Sequence, residues 1–311
     1  MSDETDITDK VFELIEMAAP EQRMLILQIK QEYQSVFVLA NDSAEFVMDT
    51  LSFGLIRTTN RTINNIWLMS WVMWKEMYCW SSFLVLINNG EALFVKSKFD
   101  ELPGQKESYD EADGLLAKTK EFISQEQLNW KLWPTSVPKI QDIPSSGDEN
   151  KLANDLAHHA IAFFYLHELR HLILGKQNES FKNPIDEEFE CDRWAAHFLT
   201  EKAEDYANQE GHDNPLLVRS KRAMGIALGA TVIAHVQKSQ FWEPSGSHPA
   251  IADRFKRLTE ILNIASNDYF WVVANSFLLG CLRRENAVPT RVAFENQQDL
   301  FNKLLQHGRL G

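Results

Sequence analysis

His167-Glu168-Leu169-Arg170-His171 closes the run Leu152-Ala153-Asn154-Asp155-Leu156-Ala157-His158-His159-Ala160-Ile161-Ala162-Phe163-Phe164-Tyr165-Leu166 and leads into Leu172-Ile173-Leu174-Gly175. Leu152, Leu156, Ala160, Phe163, Phe164 and Leu166 recur at helical spacing, and Asp148, Glu149 and Asn150 stand where acids and caps suit the positive end of a helix. Gly175 is the expected C′ terminator. On such a helix His167 and His171 project from one face, one turn apart, so that both imidazoles can reach a single Zn²⁺. Glu168, next to the first of them, is placed to take a proton from an activated water and later pass it to a leaving group. His158 and His159 read as structural histidines, and Arg170 as a side chain reaching solvent or a carboxylate.

A polar loop follows, and Asn183-Pro184-Ile185-Asp186-Glu187-Glu188 marks a second helix start. Asn183 suits the N-cap, Pro184 the first helical position, and the acids the positive end. Continuing through Phe189-Glu190-Cys191-Asp192-Arg193-Trp194-Ala195-Ala196, this helix places Glu188, Asp192, Ala195 and Leu199 on one face. A catalytic zinc needs three protein ligands and one open position, and this face is where the third is expected. Glu187 and Glu190 rival Glu188, because a shift of one or two positions lies within the uncertainty of helix phase. Cys191 reads as a small buried residue.

HExxH at His167 to His171, followed by Glu188-Phe189-Glu190-Cys191-Asp192, resembles the HExxH…ExxxD arrangement of gluzincin zinc metallopeptidases. The resemblance implies a zincin-like core, with His167, His171 and Glu188 as metal ligands and Asp192 orienting a ligand histidine. Ser247-His248-Pro249-Ala250-Ile251-Ala252-Asp253-Arg254 is similar to the His-Pro…Arg segment of HtpX-like and CAAX-prenyl proteases, which implies that His248 or Arg254 stabilises an oxyanion. Those proteases carry transmembrane helices, which are not evident here, and the interval from His171 to Glu188 is 17 positions; a soluble relative is implied. In size and in the central place of its motif the chain resembles the Lit-like phage-exclusion peptidases. That likeness implies an intracellular protease acting on a protein substrate in phage defence, held quiet until a phage or host protein activates it.

Composition narrows the choice of partners. With 44 acidic against 31 basic residues the formal charge is -13, so attraction to nucleic acid or anionic lipid is not expected. Cys79, Cys191 and Cys281 are odd in number and lack CxxC spacing, which argues against a disulfide framework or a cysteine zinc site. The acidic start Met1-Ser2-Asp3-Glu4 is unlike a secretory signal, and a reducing, cytoplasmic setting is expected. Ile66 to Ile87 is the most apolar stretch, but Lys75 and Glu76 near its middle mark buried protein rather than a membrane span. Ala223 to Val236 is too short to span, and Gly225 and Gly229 within it read as sites of close helix packing.

Around this core, Pro20 divides two short amphipathic helices over residues 8 to 35, and Phe46, Val47, Met48 and Leu51 are expected to favour helix in the mixed stretch Val36 to Ile56. Ile63, Trp67, Trp71, Trp74 and Tyr78 form an aromatic helical stripe. Phe83 to Ile87 and Ala92 to Val95, flanking Asn88-Asn89-Gly90-Glu91, predict a β-hairpin, and its edge is the candidate for pairing with an extended substrate. A helix is expected at about 111 to 122, then a Pro- and Ser-rich linker up to residue 146. The expected fold is mainly α (α+β): packed helices with a small hairpin or sheet. Residues 1–146 form an N-terminal region for substrate or regulation and 147–311 the metallopeptidase core. The function expected is a zinc-dependent endopeptidase, and the alternative is a regulatory or binding protein that keeps the core without cleaving.

Overall fold

The computed structural model describes residues 7–33, 37–40, 46–51, 55–88, 93–140, 148–236, 244, 246 and 248–310. Along the chain run α1 (Ile7–Ala18), α2 (Arg23–Tyr33), β1 (Phe37–Leu39), β2 (Met48–Leu51), β3 (Leu55–Thr58) and α3 (Asn60–Asn88). After these come β4 (Leu93–Val95), α4 (Lys96–Asp100), α5 (Gln105–Ile123), α6 (Asp148–Gln177) and α7 (Pro184–Thr200). The series closes with α8 (Ala203–Gln209), α9 (Pro215–Val236), α10 (Ile251–Ile261), α11 (Tyr269–Arg284), β5 (Arg291–Ala293) and α12 (Gln297–Leu310). The architecture is mainly helical with two small sheets, as expected.

At its centre lies α6, with α1, α3, α7 and α9 packed around it. The two glycines of α9 let it approach α6 closely: a Cβ on Gly225 would lie 2.3 Å from the Cβ of His159, and one on Gly229 would lie 3.0 Å from the ring of Phe163. His158 packs edge-on to Trp67 of the aromatic stripe, and both histidines turn Nδ1 toward the main-chain oxygens of the preceding turn. α6 outlasts Gly175. The chain turns at Asn178, whose φ of 55° is left-handed, and the Glu179 amide donates to the Leu174 oxygen at 3.0 Å.

Two further expectations are corrected. The described residues between 37 and 56 are not helical: β1 pairs in parallel with β3 and β2 antiparallel to it, in the order β1-β3-β2, which leaves β2 on an edge. These strands of three or four residues are too short for alternation to be read, and they are fixed from outside, Phe37 lying against Phe12 and Tyr165. The predicted hairpin is also absent. Phe83 to Asn88 end α3, and Leu93–Val95 pairs instead with Arg291–Ala293, while residues 89–92 lie outside the described residues. Phe83 continues the buried aromatic face, its ring 4.8 Å from that of Phe94 and 5.9 Å from that of Phe294. An apolar run of this kind suits a buried helix as well as a strand.

Glu76, in mid-α3, is fully buried. Its carboxylate accepts from Trp80 Nε1 at 3.2 Å and from Arg284 at 2.9 Å, and it fits because residue 280 opposite is glycine. The charge inside the apolar stretch is therefore paired across two helices. Among the described residues no helix is long and apolar enough to cross a membrane.

Candidate active site

Two helices supply the centre. α6 presents His167, Glu168 and His171 along one face, and α7 faces it with Glu187, Glu188, Cys191 and Asp192. The start of α7 is fixed as its sequence predicts: Asn183 accepts from the Ile185 amide at 3.1 Å and Pro184 takes the first turn.

His167 Nε2 and His171 Nε2 stand 3.2 Å apart. Glu188 closes a triangle with them, one oxygen 3.4 Å from His167 Nε2 and the other 3.3 Å from His171 Nε2. A tetrahedral ion with ligand bonds of about 2.0–2.1 Å has ligand-to-ligand edges of about 3.3 Å, so the three donors are spaced to share one ion. Each imidazole is held from behind by α7. His167 Nδ1 meets Asp192 Oδ1 at 2.9 Å, and His171 Nδ1 meets Glu187 Oε1 at 2.8 Å. Cys191, fully buried, offers a second donor arrangement, its sulfur lying within 4.8 Å of the ring nitrogens of His167 and His171. The pair of imidazoles with Glu188 or Cys191 could thus hold a metal. Glu190 lies outside this group, bonded to Arg170 at 2.8 Å and to Arg193 at 2.7 Å.

Burial acts to lower both imidazole pKa values, but the hydrogen bonds that His167 donates to Asp192 and Glu188 outweigh it there, and its pKa rises to about 10. His171 is also raised, chiefly through Glu188. Burial alone would raise Glu188, yet its bonds to His167, His171 and His248 hold it far below the usual carboxylate range. Burial pushes Glu168 up, partly offset by the two imidazoles. The Cys191 thiol is driven well above its ordinary value, first by burial and then by the surrounding carboxylates. Zinc takes deprotonated ligands and itself lowers the pKa of a thiol it binds, so both donor sets are chemically open to it.

His248 and Arg254 both reach Glu188. His248, partly exposed at the rim, places Nδ1 3.3 Å from Glu188 Oε2. Arg254, on α10, is buried: one amino nitrogen meets the same Glu188 oxygen at 3.0 Å and the other meets Asp192 Oδ1. One further residue carries no signal in the sequence. Thr50 of β2 places Oγ1 3.3 Å from Glu168 Oε2 and 3.2 Å from the Glu168 main-chain oxygen. The cleft above these groups holds about 630 Å³, with Met48 to Leu51 along one side and Glu168, His171, Leu172, Gly175 and Lys176 along the other. A smaller recess of about 130 Å³ opens beside it, lined both by Phe46, Met48, Phe163, Phe164 and Ile233 and by the polar groups of the centre, His167, Glu168, Glu188, His248 and Arg254.

A mainly helical protein whose HExxH helix floors an open cleft, with acids of a second helix facing both histidines, has the layout of a hydrolase. The sequence profile of the family described as Peptidase U49 matches residues 56–274, a span that includes both helices, and the chain belongs to that family. It is also similar to the protein called "Cell death peptidase" of Escherichia coli (strain K12), 23% identical over 164 residues, which are 50% of this chain and 52% of the relative. The chain therefore spans about half the length of this curated relative. No solved structure gives a match.

Proposed function

We propose that the chain is a zinc-dependent endopeptidase, and the observation that carries this reading is the triangle of His167, His171 and Glu188, with edges of 3.2 to 3.4 Å, set beside Glu168. Those three residues would hold the ion. When bound, zinc lowers the pKa of a water and polarises a peptide carbonyl. Glu168, one residue from a ligand and facing the cleft, accepts the water's proton and returns it to the departing amine. Asp192 and Glu187 fix the imidazole tautomers by accepting at Nδ1, leaving Nε2 free for the ion. Arg254 has both amino nitrogens committed to Glu188 and Asp192, so in this reading it locks the two acids in place. His248 stands at the rim, where it can donate to a developing oxyanion.

The substrate is an extended segment of a protein. β2 offers the edge at which such a segment can add as a further strand, the part expected of the hairpin. The apolar wall of the neighbouring recess, formed by Phe46, Phe163 and Phe164, can take an apolar side chain beside the polar groups of the centre. A role in phage defence, with an activating phage or host protein, rests on the resemblance to Lit-like phage-exclusion peptidases, while the family and the relative named a cell death peptidase support the peptidase role alone. An intracellular, cytoplasmic setting belongs to that role.

Zinc content and cleavage together test the proposal. Purified full-length protein should hold about one zinc per chain, with His171→Ala and Glu188→Ala far below that and Cys191→Ala unchanged. Glu168→Gln should keep its zinc while cleavage, and any growth arrest on expression in bacteria, falls by about 10²–10⁴-fold. A Glu168→Gln protein with unchanged cellular effect would identify a partner-binding protein that does not cut.

A further inference from the structure

We propose that Thr50 is the positioning residue for Glu168, tethering one oxygen of the base so that the other faces the reacting water. The inference rests on the metallopeptidase reading above. Thr50 occupies the third position of β2, opposite Ile56 in the antiparallel register, and lines the cleft. Its hydroxyl lies within hydrogen-bond reach of two acceptors, Glu168 Oε2 and the Glu168 main-chain oxygen. A hydroxyl has one proton, so it serves one acceptor at a time. The ionised carboxylate is the stronger acceptor, and the main-chain oxygen already has its helical partner.

With Oε2 engaged by Thr50, Oε1 is the oxygen left to take the proton. That proton passes from water to Oε1 and later to the leaving amine, while Thr50 keeps its own. Among the described residues, Thr50 is the one side chain that hydrogen-bonds this carboxylate. The tether also has a consequence for the substrate. Met48, Asp49, Thr50 and Leu51 line the cleft together, so the strand that would align a peptide also aims the base. A side chain 118 positions away in sequence thereby ties substrate register to base geometry.

Acetohydroxamate gives a readout that needs neither substrate nor turnover. It is a metal-directed acid whose proton must be accepted by a correctly placed base. Calorimetry on the zinc-loaded protein should show Thr50→Val, which exchanges the hydroxyl for a methyl group of similar size, binding it about 10- to 100-fold more weakly, as loss of a hydrogen bond to a charged group implies. Thr50→Ser should bind within about threefold of the unmodified protein, because it restores that bond. In a Glu168→Gln background, Thr50→Val should change nothing further.

Unchanged affinity in Thr50→Val, an equal loss in Thr50→Ser, or a Thr50→Val effect that persists without Glu168 would each overturn the inference and leave the peptidase reading standing. Loss of zinc from Thr50→Val alone would also overturn it, since Thr50 would then serve the junction of strand and helix. Absence of zinc from the unmodified protein, or full hydroxamate affinity in Glu168→Gln, would bring down the peptidase reading and this inference with it.

Discussion

His159 and His167 lie eight residues apart on α6 and are tuned in opposite directions. His159 is buried beside Arg222, and burial, aided by that guanidinium, outweighs the opposing pull of Asp155 and takes its pKa down to about 3. His167 is buried too, but Asp192 and Glu188 take it to about 10. The neutral form of His159 therefore contributes stability that is fully present above the unfolded value of 6.5 and is lost as pH falls toward 3. The protonated form of His167 contributes stability that is present below 6.5 and is lost as pH rises toward 10. Metal-free protein should show its highest melting temperature near neutrality, and zinc should flatten the alkaline limb, both readable in melts across pH. An alkaline limb that zinc leaves unchanged would contradict the assignment. The Asp192–His167 bond has its own test. Asp192→Asn should weaken zinc affinity about 10- to 100-fold in a chelator competition.

At the scale of elements, the approach of α9 to α6 depends on a missing methyl group. Gly225→Ala drives a Cβ into His159 and should cost about 1–3 kcal/mol in urea unfolding, as overpacking of a filled core does. Gly114, exposed in α5 with nothing near its added Cβ, is the control: Gly114→Ala should stabilise by about 0.5–1 kcal/mol. The helices of the site were legible for local reasons. HExxH, the Asn183 cap and the ExxxD interval all act within one or two turns, and the packing role of Gly225 followed from an apolar helix. The missed elements are those set by distant partners. β2 exists because β3 and α6 hold it, and the end of α3 is helical because Phe83 packs on Phe94 and Phe294. Thr50 was invisible for the same reason, and Glu187 could be named as a rival third ligand but not as the partner of His171 Nδ1.

Across the molecule, contacts tie the first helices to the last. Buried Arg222 of α9 pairs with Glu21 and also donates to the Leu199 oxygen at 2.8 Å, while Gln22 donates to the Phe198 oxygen at 3.1 Å. α1 and α3 lie along α6, and Glu76 joins α3 to α11. A division at residues 146 and 147 can be tested by expressing 147–311 alone. Deprived of these surfaces, the fragment should unfold without a cooperative transition and bind a hydrophobic dye, whereas a sharp transition would establish it as an independent domain. The pairing of α6 with α7 bears on how such a chain can change length. One residue inserted between Glu188 and Asp192 would turn Asp192 by about 100° around the helix and separate the third donor from the support of His167. One residue added to the turn at 178–183 would leave the phase of both helices intact. Inherited insertions and deletions should therefore collect in the interval between His171 and Glu188 and be purged from the four-residue steps on either side of it, making the connecting turn the elastic part of an otherwise fixed-length centre.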